Sequence, residues 1–274
     1  TELSSFLPSD RVGLTRRLYT LATRVAGPFM ASPIATRIIQ LTSYAGRRNR
    51  GVIKGAFARL GITAPPQFLD HHQAHAASAY YTSGFSEGAT VITIDAGGDG
   101  LSGSLWRGRQ GELELLESIP RIHSLGDFWL AVTHLCGFNP DRHGGKITGL
   151  AAYKECPEAL AALKTLYEGV ADKFLVRNRR YLFWKRLVTE MGKVLKEFDR
   201  EQIAWGAQRL LEELVVHLVK VGLERTGQPR VAVAGGVFAN VKLNLEILRL
   251  PGVHDFFVHP HMGDGGVAMG AALD

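Results

Sequence analysis

The segment 70-DHHQAHAASAYY-81 places His71, His72 and His75 within five positions. On a helix, His71 and His75 project from one face and can share a metal ion. Histidines that merely cap or pack a helix start have the same spacing, so the pair does not decide the matter alone. His72 stands where the zinc-peptidase pattern HExxH carries its general-base glutamate, which removes the peptidase reading. Two aspartates add weight. Asp95 in 94-IDAGGDG-100 and Asp264 in 262-MGDGG-266 each sit where an apolar stretch or turn meets a glycine cluster. Carboxylates at such junctions hold a metal or position phosphates, because glycine lets backbone N–H groups approach an anion closely. The plain alternative is an Asx-type turn. Two histidines and two aspartates together make an N/O donor set suited to Fe(II), Mn(II) or Zn(II), with positions left open for a ligand.

A third glycine element, 234-AGGVFAN-240, brings Gly235 and Gly236 to a strand end with Asn240 and Asn244 following. The glycines allow a base or ribose to approach flat, and the Asn amides are available to hydrogen-bond it. The element is neither a Walker A motif nor GxGxxG, and a tight strand-to-helix turn explains it equally well. Lys146, in 143-HGGK-146, is a loop cation able to reach a phosphate or a developing oxyanion, set against an ordinary surface lysine. His123 reads as a satisfied loop histidine. The stretch 177-RNRRYLFWKR-186 interleaves basic and aromatic residues as nucleic-acid binders do, but a solvated helix with aromatic anchors is the preferred explanation.

The elements that must position these residues alternate in type. Residues 1–60 read as helical, and 74–85 suit a close-packed helix. Val91, Ile92, Thr93 and Ile94 signal a buried strand, followed by a tight turn at Gly97, Gly98 and Gly100, a return strand over 101–107 and a third strand over 113–119. Ser124 and Asp127 suggest a capping box opening a helix over 125–136. Residues 139–146 read as a loop, 158–225 as mostly helix ending before Pro229, and 230–237 as strand then glycine turn. A helix over 238–249, a strand over 254–260 and a small-residue helix after the last glycine turn complete the pattern. Strands alternating with helices, each leading into a glycine turn, indicate an α/β architecture.

With 274 residues, 46% hydrophobic and 21% charged, the chain can bury a sizeable core without disulfides. Its two cysteines, Cys136 and Cys156, form no CxxC pair, which argues for a reducing, cytoplasmic setting and against a cysteine-bound metal. The net charge of +6 suits phosphate-bearing ligands but is also common on solvated surfaces. The most apolar early stretch, 18–41, is interrupted by Arg24, Pro28, Pro33 and Arg37, so no membrane span is expected.

The order HHQAHAASAYY, TIDAGGDG, IHSLGDFW, GGKITGLAAY, AGGVFAN with Asn244 beyond it, and MGDGGVAMGAAL resembles the NodU/CmcH-type O-carbamoyltransferases, from about residue 66 onward. The resemblance implies a TsaD-like domain of the actin/hexokinase-like superfamily, with two ribonuclease-H-like lobes around a nucleotide cleft. It divides the chain into a mostly helical remainder of the first lobe, 1–88, and a second lobe, 89–274, whose last helix returns to the first. It implies His71, His75, Asp95 and Asp264 as metal ligands, usually iron, with manganese or zinc as alternatives. Gly97, Gly98 and Asp99 become the phosphate hairpin; Gly235, Gly236, Asn240 and Asn244 the adenosine turn. Lys146 falls near the transferred group, and His72 and His143 are candidate general bases. The implied reaction passes a carbamoyl group from carbamoyl-adenylate, made from ATP in a YrdC-like domain, to a hydroxyl of a sugar or antibiotic-like acceptor. Alternatives are TsaD-like threonylcarbamoyl transfer to tRNA and a non-catalytic nucleotide-binding remnant. The family's opening strand hairpin has no counterpart before residue 60, and no YrdC-like domain lies within residue 274. A fragment or reduced homologue with an incomplete first lobe, relying on a separate YrdC-like partner, is therefore expected.

Overall fold

In a computed structural model of the protein, residues 21–22, 25–32, 34–35, 44–183 and 185–274 are described. Within the N-terminal 60 residues the helical expectation is met by α1 (Tyr44–Arg59), while residues 1–20, 23–24, 33 and 36–43 lie outside the described residues. Helix α2 (His71–Thr82) starts where the Asp70 carboxylate accepts a hydrogen bond from the His72 amide at 2.9 Å. It runs into a meander of β1 (Ala89–Gly98), β2 (Leu101–Arg109) and β3 (Glu112–Pro120). Ala89 to Ile94 are all buried, as a strand covered on both faces requires.

The turn between β1 and β2 is displaced from the expected one. Gly97 and Gly98 remain in β1, and the two turn residues are Asp99 and Gly100, at φ 48° and 84°. A two-residue hairpin needs positive φ at both positions, and aspartate followed by glycine tolerates that best. Between Ile94 and Gly98 the β1–β2 register shifts. A bulge of this kind re-aims the side chains within it, and Asp95 is one of them.

After β3, α3 (Leu125–Leu135) opens on Ser124, whose hydroxyl accepts from the Asp127 amide at 2.9 Å. Half of the expected capping box is formed. The Asp127 carboxylate turns away from the backbone to take both terminal nitrogens of Arg121. The expected loop at 139–146 closes earlier, because α4 (Gly144–Leu150) already includes Lys146. The stretch read as mostly helix contains α5 (Pro157–Lys164), a two-stranded sheet of β4 (Tyr167–Gly169) and β5 (Val176–Asn178), and α6 (Lys185–Val194). The basic-aromatic segment is thus strand and turn before it is helix. Buried Asn178 donates to the Ile122 and Leu182 carbonyls and accepts from the Leu182 amide, a set of bonds that a helix would not permit.

Helix α7 (Arg200–Thr226) begins with a full Asp199–Gln202 capping box and stops at Gly227, φ 67°, two residues before the proline expected to end it. Strand β6 (Arg230–Ala234), α8 (Val241–Leu248), β7 (Asp255–Val258) and α9 (Val267–Leu273) follow. The main sheet runs β3-β2-β1-β6-β7, antiparallel through the meander and parallel from β1 to β6 to β7. Ile92, Ile94, Leu105 and Val233 face α3 and α7, while Val91, Trp106, Ala232 and Ala234 face α2. Helices therefore cover both faces of a mixed sheet. Among the described residues no helix is long and apolar enough to cross a membrane.

Candidate metal centre

The first turn of α2 is held over the β1–β2 hairpin from both ends. Its Asp70 cap fixes the helix start, and the His71 amide donates to the Asp99 carboxylate at 2.9 Å. The His71 ring lies so close to Gly98 that a Cβ there would sit 2.2 Å from its Cγ. From the other side, Gly270 of α9 packs against the Ala74 carbonyl, where a Cβ would stand at 1.8 Å. That approach brings Asp264, in the single turn Asp264–Gly266 before α9, over the same helix face.

Four side chains meet there. The Nε2 of His71 is 3.3 Å from Asp95 Oδ2 and 3.6 Å from Asp264 Oδ1; the Nε2 of His75 is 3.8 Å and 3.5 Å from the same oxygens. One donor atom from each residue lies within 4.8 Å of all the others. Four ligands at about 2.1 Å around a tetrahedral ion stand about 3.4 Å apart, so these edges have the size a cation needs. His75 is fully buried, and its Nε2 has no hydrogen-bond partner. A buried orphan nitrogen facing two carboxylates just beyond hydrogen-bonding range fits a metal ligand better than a packed histidine. Asp264 is 63% exposed, which leaves the site open to solvent on that side.

The charges agree. Burial alone would raise the Asp95 carboxyl, but His71 and His75 hold it well below the usual carboxylate range. Burial alone would lower His75, yet Asp264 and Asp95 lift it above its ordinary value. Each group is thus shifted toward its charged form, and a cation would take over the role of the imidazole protons. The second oxygen of Asp95 accepts from the Gly236 amide at 3.4 Å, which links the cluster to the AGGVFAN turn. Gly235 adopts φ 106°, and a Cβ there would lie 2.2 Å from the Ile94 carbonyl. Strand β1 and that turn touch directly.

The remaining sequence-derived candidates divide. His72 points into the core. Its Nδ1 is 2.8 Å from the Thr93 hydroxyl, which is 2.6 Å from the Ser104 hydroxyl, which accepts from the Trp106 indole at 2.7 Å. The indole can only donate, so the Ser104 hydroxyl oxygen accepts at that end of the chain. Burial keeps this imidazole neutral, down to about 3. His72 is a structural residue here, not an accessible base. Lys146 is exposed on α4 and places its ammonium over the Phe138 ring at 5.3 Å. His143 precedes that helix and accepts from the Asn139 amide at 3.3 Å. Asn240 does not present a free amide. It caps α8 through the Leu243 amide and exchanges two hydrogen bonds with Gln208. Asn244 donates to the Phe238 carbonyl.

Sequence reasoning missed the floor behind that turn. Gln208 and Glu212 are buried on α7, one helical turn apart, and line a cavity of about 440 Å³ shared with Trp205, Lys242 and Glu246. Two polar residues on the buried face of an otherwise apolar stripe were the available signal.

Comparison with known proteins follows the same line. A solved structure of full-length HypF in the phosphate- and nucleotide-bound form superposes with a TM-score of 0.55 at 17% identity, over 77% of this chain and 36% of that one. That likeness establishes a shared fold. Nodulation protein NolNO of Sinorhizobium fredii is 33% identical over 229 residues, covering 82% of this chain. Nodulation protein NolO of Bradyrhizobium diazoefficiens is 34% identical over 210 residues, covering 75%. The chain spans 33% of the length of NolNO and 38% of that of NolO. Residues 36–273, which include all four clustered side chains, match the family described as carbamoyltransferase N-terminus. This chain belongs to that family.

Proposed function

We propose that the chain carries the transfer centre of a metal-assisted O-carbamoyltransferase, with an actin/hexokinase-like, two-lobed fold around an adenylate cleft. The observation that carries this reading is the four-residue cluster of His71, His75, Asp95 and Asp264, bonded through Asp95 to the glycine turn at Gly236. The match to the carbamoyltransferase N-terminus family, and the shared fold with a phosphate- and nucleotide-bound HypF structure, support it. A divalent transition metal, with Fe(II) favoured over Mn(II) and Zn(II), would be held by these four residues and would polarise the carbamoyl carbonyl or the phosphate. Gly97, Gly98 and Asp99 border the phosphate side. The adenosine side lies at Gly235 and Gly236, with the Gln208–Glu212 cavity behind them, Asn240 shaping that turn and Asn244 bracing it.

In the reaction, an acceptor hydroxyl oxygen bonds to the carbamoyl carbon, and the bond from that carbon to the adenylate phosphate oxygen breaks. AMP departs with the electron pair, and the hydroxyl proton goes to solvent. Backbone N–H groups of the hairpin would stabilise charge on the departing phosphate. Carbamoyl-adenylate would be supplied by a YrdC-like domain or partner.

Elemental analysis tests this directly. Purified protein is expected to bind near-stoichiometric transition metal, and His71→Ala and His75→Ala to lose it, with affinity down by more than the roughly 10–100-fold typical of outer-shell changes. Wild-type protein that takes up no Fe, Mn or Zn would overturn the reading.

A further inference from the structure

Asp95 lies in β1, but inside the register shift between Ile94 and Gly98, where regular pairing with β2 does not fix the backbone. What encloses that bulge comes from the segment after β3. The Ser124 hydroxyl donates to the Ala96 carbonyl at 2.7 Å, and a Cβ on Gly126 would stand 2.3 Å from the Ala96 nitrogen. The Arg121 amide donates to the Gly100 carbonyl at 2.9 Å. Gly97 adopts φ 148°, and the Arg121 side chain fills the space beside it, its Cδ 2.1 Å from where a Cβ would be.

Two neighbours keep Arg121 in that place. Asp127 of α3 accepts from both terminal nitrogens, one of them at 2.9 Å, and the Phe183 ring lies 5.5 Å from the guanidinium carbon. The Arg121 and Asp127 side chains are only 22% and 13% exposed. An exposed ion pair contributes little, but a two-point pair withdrawn from water fixes geometry. The bulge is thus held by Arg121 at Gly97 and by the His71 ring at Gly98.

We propose that Arg121, clamped by Asp127, is a positioning residue for the metal centre: it holds the bulge that aims the Asp95 carboxylate at His71 and His75. The inference rests on the metal-centre reading and adds to it a pair that belongs to none of the four ligands. Without the clamp, the bulge can relax toward regular β1–β2 pairing. Side chains alternate along a strand, so a one-residue slip turns Asp95 away from the histidines.

The test loads the full chain with Co(II), whose visible absorption reports the ligand geometry, and measures affinity by calorimetry. Arg121→Ala and Asp127→Ala are each expected to weaken Co(II) binding roughly 10–100-fold and to alter the absorption bands. The double variant should lose no more than either single one, because the same clamp is absent in all three. Arg121→Lys keeps the aliphatic stem and one charge, and should recover part of the loss. Val215→Ala, a fully buried change in α7, controls for general destabilisation and should lower Tm without altering affinity or spectrum. In metal-free protein, amide exchange at residues 96–98 should quicken roughly tenfold or more in Arg121→Ala, with residues 231–233 of β6 unchanged. Wild-type affinity and exchange in Arg121→Ala, affinity losses no larger than those of Val215→Ala, or additive losses in the double variant would each overturn the proposal. Arg121→Lys and Asp127→Asn carry the same comparison should the alanine variants fail to fold. Wild-type protein that binds no Co(II) would count against the metal-centre reading, while the exchange measurement still decides whether Arg121 holds the bulge.

Discussion

His75 and His123 are both buried histidines, and their surroundings give them opposite chemistry. Two carboxylates stand beside His75, so its proton is replaceable by a cation. Among the described residues no carboxylate pairs with His123. Its Nδ1 accepts from the Asn178 amide at 3.1 Å, and burial, with Arg177 adding to it, pushes its pKa down to about 4. The unfolded chain, with histidine near 6.5, then binds the extra proton first as pH falls. Stability contributed by neutral His123 is complete above about pH 6.5 and is lost between there and about pH 4. On the order of 3 kcal/mol is at stake, and His72 acts in the same direction. Urea unfolding at pH 7.5 and 4.5 checks this, with a smaller drop expected in His123→Gln. The spacing of His71 and His75 was legible in the sequence because a helix converts a four-residue interval into a shared face. The inward aim of His72 was not, because only the strand beneath decides which imidazole the core accepts.

Among the elements, the decisive contact is α2 against the β1–β2 hairpin. The hairpin was expected from its glycines, but Gly97 and Gly98 serve the strand rather than the turn. Gly98 leaves room for the His71 ring, which explains why a glycine stands where the turn does not need one. In Gly98→Ala the new methyl group must displace that ring. Metal affinity measured by calorimetry is expected to fall roughly 10–100-fold, while far-UV circular dichroism stays close to wild type. An unchanged affinity would show that His71 does not depend on this packing. The two strands inside the stretch read as mostly helix have a similar origin. Short strands such as β4 and β5 carry too little period of their own, and their pairing is decided by the partner.

For the whole molecule, the cluster joins α2 and β1 to the far C-terminal turn at Asp264. A ligand that binds only the folded state adds stability as RT ln(1 + [L]/Kd), about 2.7 kcal/mol at a hundredfold excess over Kd. Chelation of the metal-loaded protein should therefore lower its Tm by several degrees. The same treatment should leave the Tm of His75→Ala unmoved. Differential scanning calorimetry with and without EDTA checks both arms. Equal shifts in the two proteins would place the stabilising metal elsewhere.

The sequence by itself determined the α/β alternation, the buried strand at Val91–Ile94, the glycine turns and the four residues, two histidines and two aspartates, able to hold a cation. These are local properties, written in the period and composition of short segments. Tertiary structure alone decided that Asp264 reaches His71 and His75, that Asn240 turns toward Gln208, that Lys146 lies over Phe138, and that α3 packs on the backbone of Asp95. The reason is physical. Where a side chain points depends on which neighbour removes it from water, and those neighbours come from segments that only the folded sheet brings together.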